Sequence, residues 1–143
     1  MKKMYFLVLL AVAVLINGCA TTGPVKHSDG SNIAYTDASR EIAFDASIEA
    51  LQKLGYKIEI KDQENFYVKG SYWNPLTEYA PVNAQIDISQ ETSGAKIVNS
   101  IHLAGGYNLI GVASLVYTQR AENIYKEEAK ILAAKGYKVQ KSR

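Results

Sequence analysis

The chain is poor in the features that would name a function. It has a single cysteine among 143 residues, Cys19. A lone cysteine leaves no second thiol to cross-link, so stability has to come from an apolar core. Basic clusters are missing as well. The formal charge of +2 is contributed by Lys2 and Lys3, and beyond position 18 both signs stand at 14. A nucleic-acid binder needs a concentrated basic face to displace counterions from phosphates. Lys135, Lys138, Lys141 and Arg143 make only a modest basic tail, so no nucleic-acid partner is expected. Long apolar runs are also absent. The longest, Tyr5 to Ile16, covers 12 residues, whereas a spanning helix needs ~20.

That run follows Lys2 and Lys3 and ends in Ile16-Asn17-Gly18-Cys19. A positive start, a short apolar stretch and a small-residue exit make a secretory signal, whose apolar part is ~7–15 residues long. The alternative is an uncleaved N-terminal anchor helix. With Cys19 as its last element, the segment resembles the signal of a bacterial envelope lipoprotein. Asn17 stands where that pattern more often has Ala, Ser or Thr. The resemblance implies cleavage before Cys19, a diacylglycerol on its sulfur and a third acyl chain, such as palmitate, on its new amine. Two chains already give stable anchoring, at ~0.8 kcal/mol per buried methylene. Ala20, not Asp, follows the cysteine, and by the same resemblance this implies export to the outer membrane, with the domain held in the cell envelope or periplasm.

Removing residues 1–18 leaves 125, which suits one domain. Residues 19–32 are small, polar and broken by Gly23, Pro24 and Gly30, the composition of a flexible tether reaching ~20 Å. Residues 33–143 form the expected domain.

Its elements are legible from periodicity. Asn32 to Thr36 is a candidate first strand. Ser39 or Asp37 can cap a helix carrying Phe44, Ile48 and Leu51 at i, i+4 and i+7, and Gly55 ends it. Strand patterns follow at Tyr56 to Lys61, Phe66 to Trp73, Val82 to Ser89 and Lys96 to Leu103. A second helix is expected from Val112 to Ala134 along Tyr117, Ala121, Ile124, Glu128 and Ile131, where the single Glu weakens the stripe locally. Leu51 to Ile58 and Leu132 to Val139 echo one another as a helix end, a glycine cap and a Tyr-led strand. The echo predicts a last short strand at Tyr137 to Gln140.

Register follows from parity, since facing residues share a face. A four-residue loop at Glu91 to Gly94 sets Ile88 opposite Ile97 and Val82 opposite Leu103. A two-residue loop at Ser93-Gly94 keeps the same faces. For the earlier hairpin, a three-residue loop Gln63-Glu64-Asn65, with Asn65 left-handed and a bulge, aligns Ile60 with Val68 and Tyr56 with Tyr72. The fold class is therefore α+β, a four- to five-stranded, mostly antiparallel sheet with two helices packed on one face. It resembles the small α+β domains of bacterial envelope lipoproteins, a likeness that spans most of the mature chain and carries no catalytic residues.

Chemistry-bearing patterns are few. Ser100, His102 and Asp87 contain the residue types of a triad, but the register places Asp87 beyond Ser100 from His102, the wrong order for a relay. Of the two histidines, His27 lies in the tether and His102 on a strand, with no free Cys and no close carboxylate pair beside them, so no transition-metal site is expected. Gly105-Gly106 to Gly111 lacks the Lys-Ser or Lys-Thr of a phosphate loop. No enzyme activity, cofactor or metal is expected. The strongest binding signal is aromatic: Tyr67, Tyr72, Trp73 and Tyr79, joined by the loop from Asn74 to Glu78, with Tyr107, Leu109 and Ile110 as a second apolar loop. Tyr and Trp combine apolar area with a polar tip and favour interfaces. The expected function is a non-enzymatic binding or assembly module, with an envelope protein or glycan as partner. The second reading is a periplasmic inhibitor or small-ligand carrier using the outer sheet face of Asn83, Gln85, Ser100 and His102.

Overall fold

The computed structural model describes residues 31–74, 81–103 and 112–142. In chain order the elements are β1 (Asn32–Thr36), α1 (Arg40–Lys53), β2 (Lys57–Asp62), β3 (Tyr67–Tyr72), β4 (Val82–Glu91), β5 (Gly94–Leu103), α2 (Val112–Ala134) and β6 (Val139–Lys141). The six strands make one sheet in the order β2-β3-β4-β5-β1-β6, and every pairing is antiparallel.

Local chemistry explains the helix ends. Ser39 is the N-cap of α1, and its hydroxyl accepts from the Ile42 N–H at 3.4 Å. The C-termini repeat one device. Gly55 (φ 83°) donates its N–H to the Gln52 carbonyl at 3.0 Å, and Tyr56 donates to Leu51 at 2.9 Å. Gly136 (φ 89°) donates to Ala133 and Tyr137 donates to Leu132, both at 3.0 Å. These bonds satisfy carbonyls the helix leaves open, and glycine adopts the required left-handed turn without a Cβ penalty. The sequence echo is thus the same capping chemistry used twice. The strands it leads into, β2 and β6, lie at opposite edges of the sheet.

Four or five strands are expected from periodicity, and the sheet has six. Both short end segments join it. β1 pairs with β5 from Asn32–Asn99 to Thr36–Ala95, and β6 pairs with β1 from Ala34–Lys141 to Thr36–Val139. A three-residue strand is too short to announce itself by alternation. It is held by contacts distant in sequence: Asp37 Oδ1 accepts from the Lys138 N–H at 2.7 Å, and the Ser142 N–H donates to the Ile33 carbonyl at 2.8 Å.

The β4–β5 hairpin has the expected register, with Ile88 opposite Ile97 and Val82 opposite Leu103, and pairing continues to Glu91–Gly94. The loop is therefore Thr92-Ser93: the register is that of the expected four-residue loop with one more pair closed, not that of a Ser93-Gly94 loop. The β2–β3 hairpin departs further. Ile58 lies opposite Gly70, but a bulge between Ile58 and Ile60 moves Ile60 opposite Lys69 instead of Val68. The loop then holds four residues, 63–66, and the left-handed position falls on Phe66 (φ 53°), not on Asn65. A non-glycine residue there costs ~1–2 kcal/mol. Phe66 is nevertheless buried, with its ring edge-on to Phe44 at 5.6 Å, and burying a Phe side chain stabilises by ~1.5–3 kcal/mol. Tertiary packing decides this turn.

One sheet face carries the core. Ala34, Val68, Val82, Ala84, Ile86, Ile88, Ile97 and Ile101 are buried there, against Phe44 and Leu51 from α1 and Ile124 and Leu132 from α2. Both helices lie on this face, because Ser47 of α1 and Asn99 of β5 each bond to Glu128 of α2. The other face is lined by Tyr35, Lys96, Asn83, Gln85 and Lys69, none of them buried.

Candidate functional site

The aromatic group does not form one patch. Tyr67 and Tyr72 are five positions apart on β3, so they point to opposite faces. Tyr72 shares the core side with Val82. Its ring lies 5.6 Å from that of Tyr56, and the Arg120 guanidinium of α2 sits 4.6 Å above it. Tyr67 is on the outer face opposite Asp87. Burial pushes the Tyr67 hydroxyl pKa up, the Asp87 carboxylate adds to this, and burial also raises Asp87. Trp73, just past β3, is 59% exposed. Tyr79, Tyr107, Leu109, Ile110 and the lipidation candidate Cys19 lie outside the described residues.

At the inner end of β3 lies a small cleft of about 110 Å³, lined by Leu54, Tyr56, Tyr72, Arg120 and Asn123. The positions follow from the helix ends. Gly55 turns the chain so that Leu54 and Tyr56 flank one wall, while Arg120 and Asn123, three apart on α2, share a helix face. The Tyr56 hydroxyl is buried without a well-formed hydrogen bond. Burial pushes its pKa up, and the nearby Arg120 guanidinium pulls it down. The Asn123 Oδ1 accepts from Gln119 Nε2 at 3.0 Å. Arg120 and Asn123 lie outside the apolar stripe that marks α2 in the sequence, and so they carry no site signal there.

On the outer face Asn83 lies opposite His102 and Gln85 opposite Ser100, while Asp87 lies opposite Val98. Ser100 and His102 are neighbours along one side of β5, and Asp87 sits past Ser100, so the three residues do not form a relay. Among the described residues no group of three His, Cys, Asp or Glu could hold a metal ion.

The most unusual side chain is Glu128, fully buried at the helix–helix–sheet junction. Its Oε1 accepts from Ser47 Oγ and its Oε2 from Asn99 Nδ2, each at 2.7 Å. Burial pushes its carboxyl pKa up to about 7, against the lowering effect of Ser47 and Asn99. Asn99 Oδ1 is buried with no hydrogen-bond partner. The signal was present in the sequence: Ser47, Asn99 and Glu128 each stand at an apolar position of their element, and only their meeting explains all three.

No family model matches the chain, and no curated protein matches it. Among solved structures, the fold is similar to the crystal structure of Ara h 8.0201, with a TM-score of 0.54 at 12% identity, over 72% of this chain and 96% of that one. A DUF4468 family protein from Bacteroides ovatus ATCC 8483 aligns over 77% of this chain and 91% of its own at 12% identity, with a TM-score of 0.37. The first likeness is one of fold: an antiparallel sheet with helices, in an α+β domain. Among the described residues no helix is long and apolar enough to cross a membrane.

Proposed function

We propose that this chain is a lipid-anchored protein of a bacterial cell envelope, and that its folded domain is a non-enzymatic binding or assembly module. Acyl chains on Cys19 hold it at the outer membrane, and residues 19–32 let the domain reach a partner protein or glycan. The contact surface is the end of the sheet marked by Trp73. The exposure of Trp73 carries the reading. An indole left in water forgoes ~25 cal/mol per Å² of apolar area that a partner would cover, and Trp is the residue type most enriched among energetic anchors of interfaces.

Two measurements test it separately. Mass spectrometry of the protein isolated from membranes should find the N-terminal peptide starting at an acylated Cys19. A peptide starting at Met1, or an unmodified thiol, removes the anchor. A photo-crosslinking residue at position 73 should capture one discrete envelope partner, while the same residue at Lys61 on the edge strand should not. Equal capture at both positions removes the contact surface.

The second reading is a periplasmic inhibitor or small-ligand carrier. It is favoured by the band of Asn83, Gln85, Ser100 and His102, four polar side chains in paired register on the outer face. Asn83→Ala and Gln85→Ala variants that lose a ligand while keeping the crosslink at position 73 would select it.

A further inference from the structure

We infer that the Trp73 end of the domain rests on the bilayer that holds Cys19, so that the lipid interface covers this end whenever no partner does. The inference rests on the reading of Cys19 as an acylated anchor and goes beyond it, since an anchor by itself sets no orientation. Its first basis is where the chain enters the fold. β1 begins with Asn32 opposite Asn99 and closes on Thr36 opposite Ala95, running toward the turn at 92–93. Followed backward, it points to the end where Leu103 pairs with Val82 and Val82 with Tyr72, one residue before Trp73. From Asn99 to Leu103 is ~13 Å along a strand. Between Cys19 and Asn32 stand 12 residues, whose composition gives a reach of ~20 Å. The acyl chains can therefore sit under the Trp73 end without the chain turning back.

The second basis is where the exposed apolar area lies. Among the described residues the large apolar side chains most open to water are Tyr35, Ile60, Trp73 and Val116. Tyr35 and Ile60 stand opposite Lys96 and Lys69, on strands near opposite edges of the sheet. Trp73 and Val116 belong to one end. α2 descends from Arg120 at the Tyr72 ring, past Glu128 at Asn99, to the turn whose Lys138 meets Asp37. Val116, 44% exposed, precedes Arg120 by about one helical turn and so lies toward the Trp73 end. The opposite end is polar: Glu91, Thr92 and Ser93 are exposed there, with Asp37 close to Gly94. Water suits that end, whereas Trp favours the headgroup level of a bilayer, where its ring is covered and its N–H stays wet. A short tether keeps lipid at high local concentration, so even a weak contact of this kind is populated.

Trp73 is the chain's only tryptophan, so its emission reports on this end alone. The acylated full chain should be placed in vesicles of phosphatidylethanolamine and phosphatidylglycerol that contain a lipid with a nitroxide high on its acyl chain. Trp73 should be quenched roughly threefold or more above a tryptophan in the opposite turn, in Trp73→Phe/Ser93→Trp. Thr92→Trp takes the place of Ser93→Trp if that variant does not fold. A reporter in Trp73→Phe/Val116→Trp should be quenched as Trp73 is. Equal quenching at the two ends, no quenching of Trp73, or a Val116 reporter quenched no more than the one in the turn overturns the inference. Mass spectrometry of the same sample keeps the ideas apart. An unacylated Cys19 removes the anchor and this inference with it, while an acylated Cys19 with an unquenched Trp73 removes the lipid contact alone. Trp73 unquenched in vesicles but crosslinked from position 73 in cells assigns this end to the envelope partner and overturns the lipid contact.

Discussion

Glu128 shows how one residue sets a pH dependence. Its carboxyl is surrounded by neutral partners, Ser47 and Asn99, so no cation offsets the loss of water around a negative charge. The folded pKa of about 7 lies above the ordinary 4.5. Between those values the folded protein keeps a proton that the unfolded chain releases. Stability from this group is thus complete below about pH 4.5, falls as pH rises toward about 7, and is level beyond. Urea denaturation should find the protein more stable near pH 5 than near pH 8. Glu128→Gln should flatten that slope and raise stability near pH 8 by on the order of 1–3 kcal/mol. An unchanged slope in the variant would place the titration elsewhere. Gly94 shows a steric limit at the same scale. At φ 142°, a Cβ there would lie 1.9 Å from the Thr36 carbonyl oxygen and 2.8 Å from the Asp37 Cα. Both are backbone atoms that cannot swing aside. Gly94→Ala should cost ~2–3 kcal/mol. Gly136→Ala meets nothing within 4 Å and carries only the left-handed backbone cost of ~1 kcal/mol. Denaturation midpoints of the two variants should separate in that order.

At the scale of elements, β6 depends on its neighbours. Three residues cannot hold an edge by themselves, and Asp37 pins the segment through the Lys138 N–H. Asp37→Ala should lose ~0.5–1.5 kcal/mol of local stability. Hydrogen exchange should quicken at residues 139–141 while β4 and β5 stay protected; loss of protection across the whole sheet would refute a local role. The two hairpins show which registers can be read in advance. β4 and β5 alternate without a break, so parity alone sets Ile88 against Ile97. β2 looks equally regular, yet a bulge turns Ile60 outward to 43% exposure. The same hairpin holds Phe66 in its turn, where it meets Phe44 and the Arg40 guanidinium, 3.8 Å above its ring, groups far away in sequence. The aromatic site divides for a related reason. Tyr67, Tyr72 and Trp73 are close in sequence, but strand alternation puts Tyr67 and Tyr72 on opposite faces, and only Tyr72 reaches Arg120.

On the scale of the whole molecule, the sheet among the described residues ends in two edge strands, β2 and β6. β2 carries Lys57, Glu59, Lys61 and a bulge, and β6 is three residues long. Charge, distortion and shortness all discourage edge-to-edge pairing. The partner is accordingly expected at the Trp73 end and not by strand addition, and crosslinks from position 73 with none from Lys61 would bear this out.

Periodicity and capping alone determined both helices, their glycine stops and the pairing of β4 with β5, because each depends on residues a few positions apart. The Cys19 anchor reading likewise rests on a contiguous segment. The capping echo anticipated a short last strand near Tyr137 to Gln140, seen as Val139–Lys141; tertiary structure alone decided its place beside β1, the β2 bulge, the separation of Tyr67 from Tyr72, the junction at Glu128 and the cleft under Arg120. Each of these joins groups distant along the chain, and their energies arise from burial and partner geometry that no local pattern encodes.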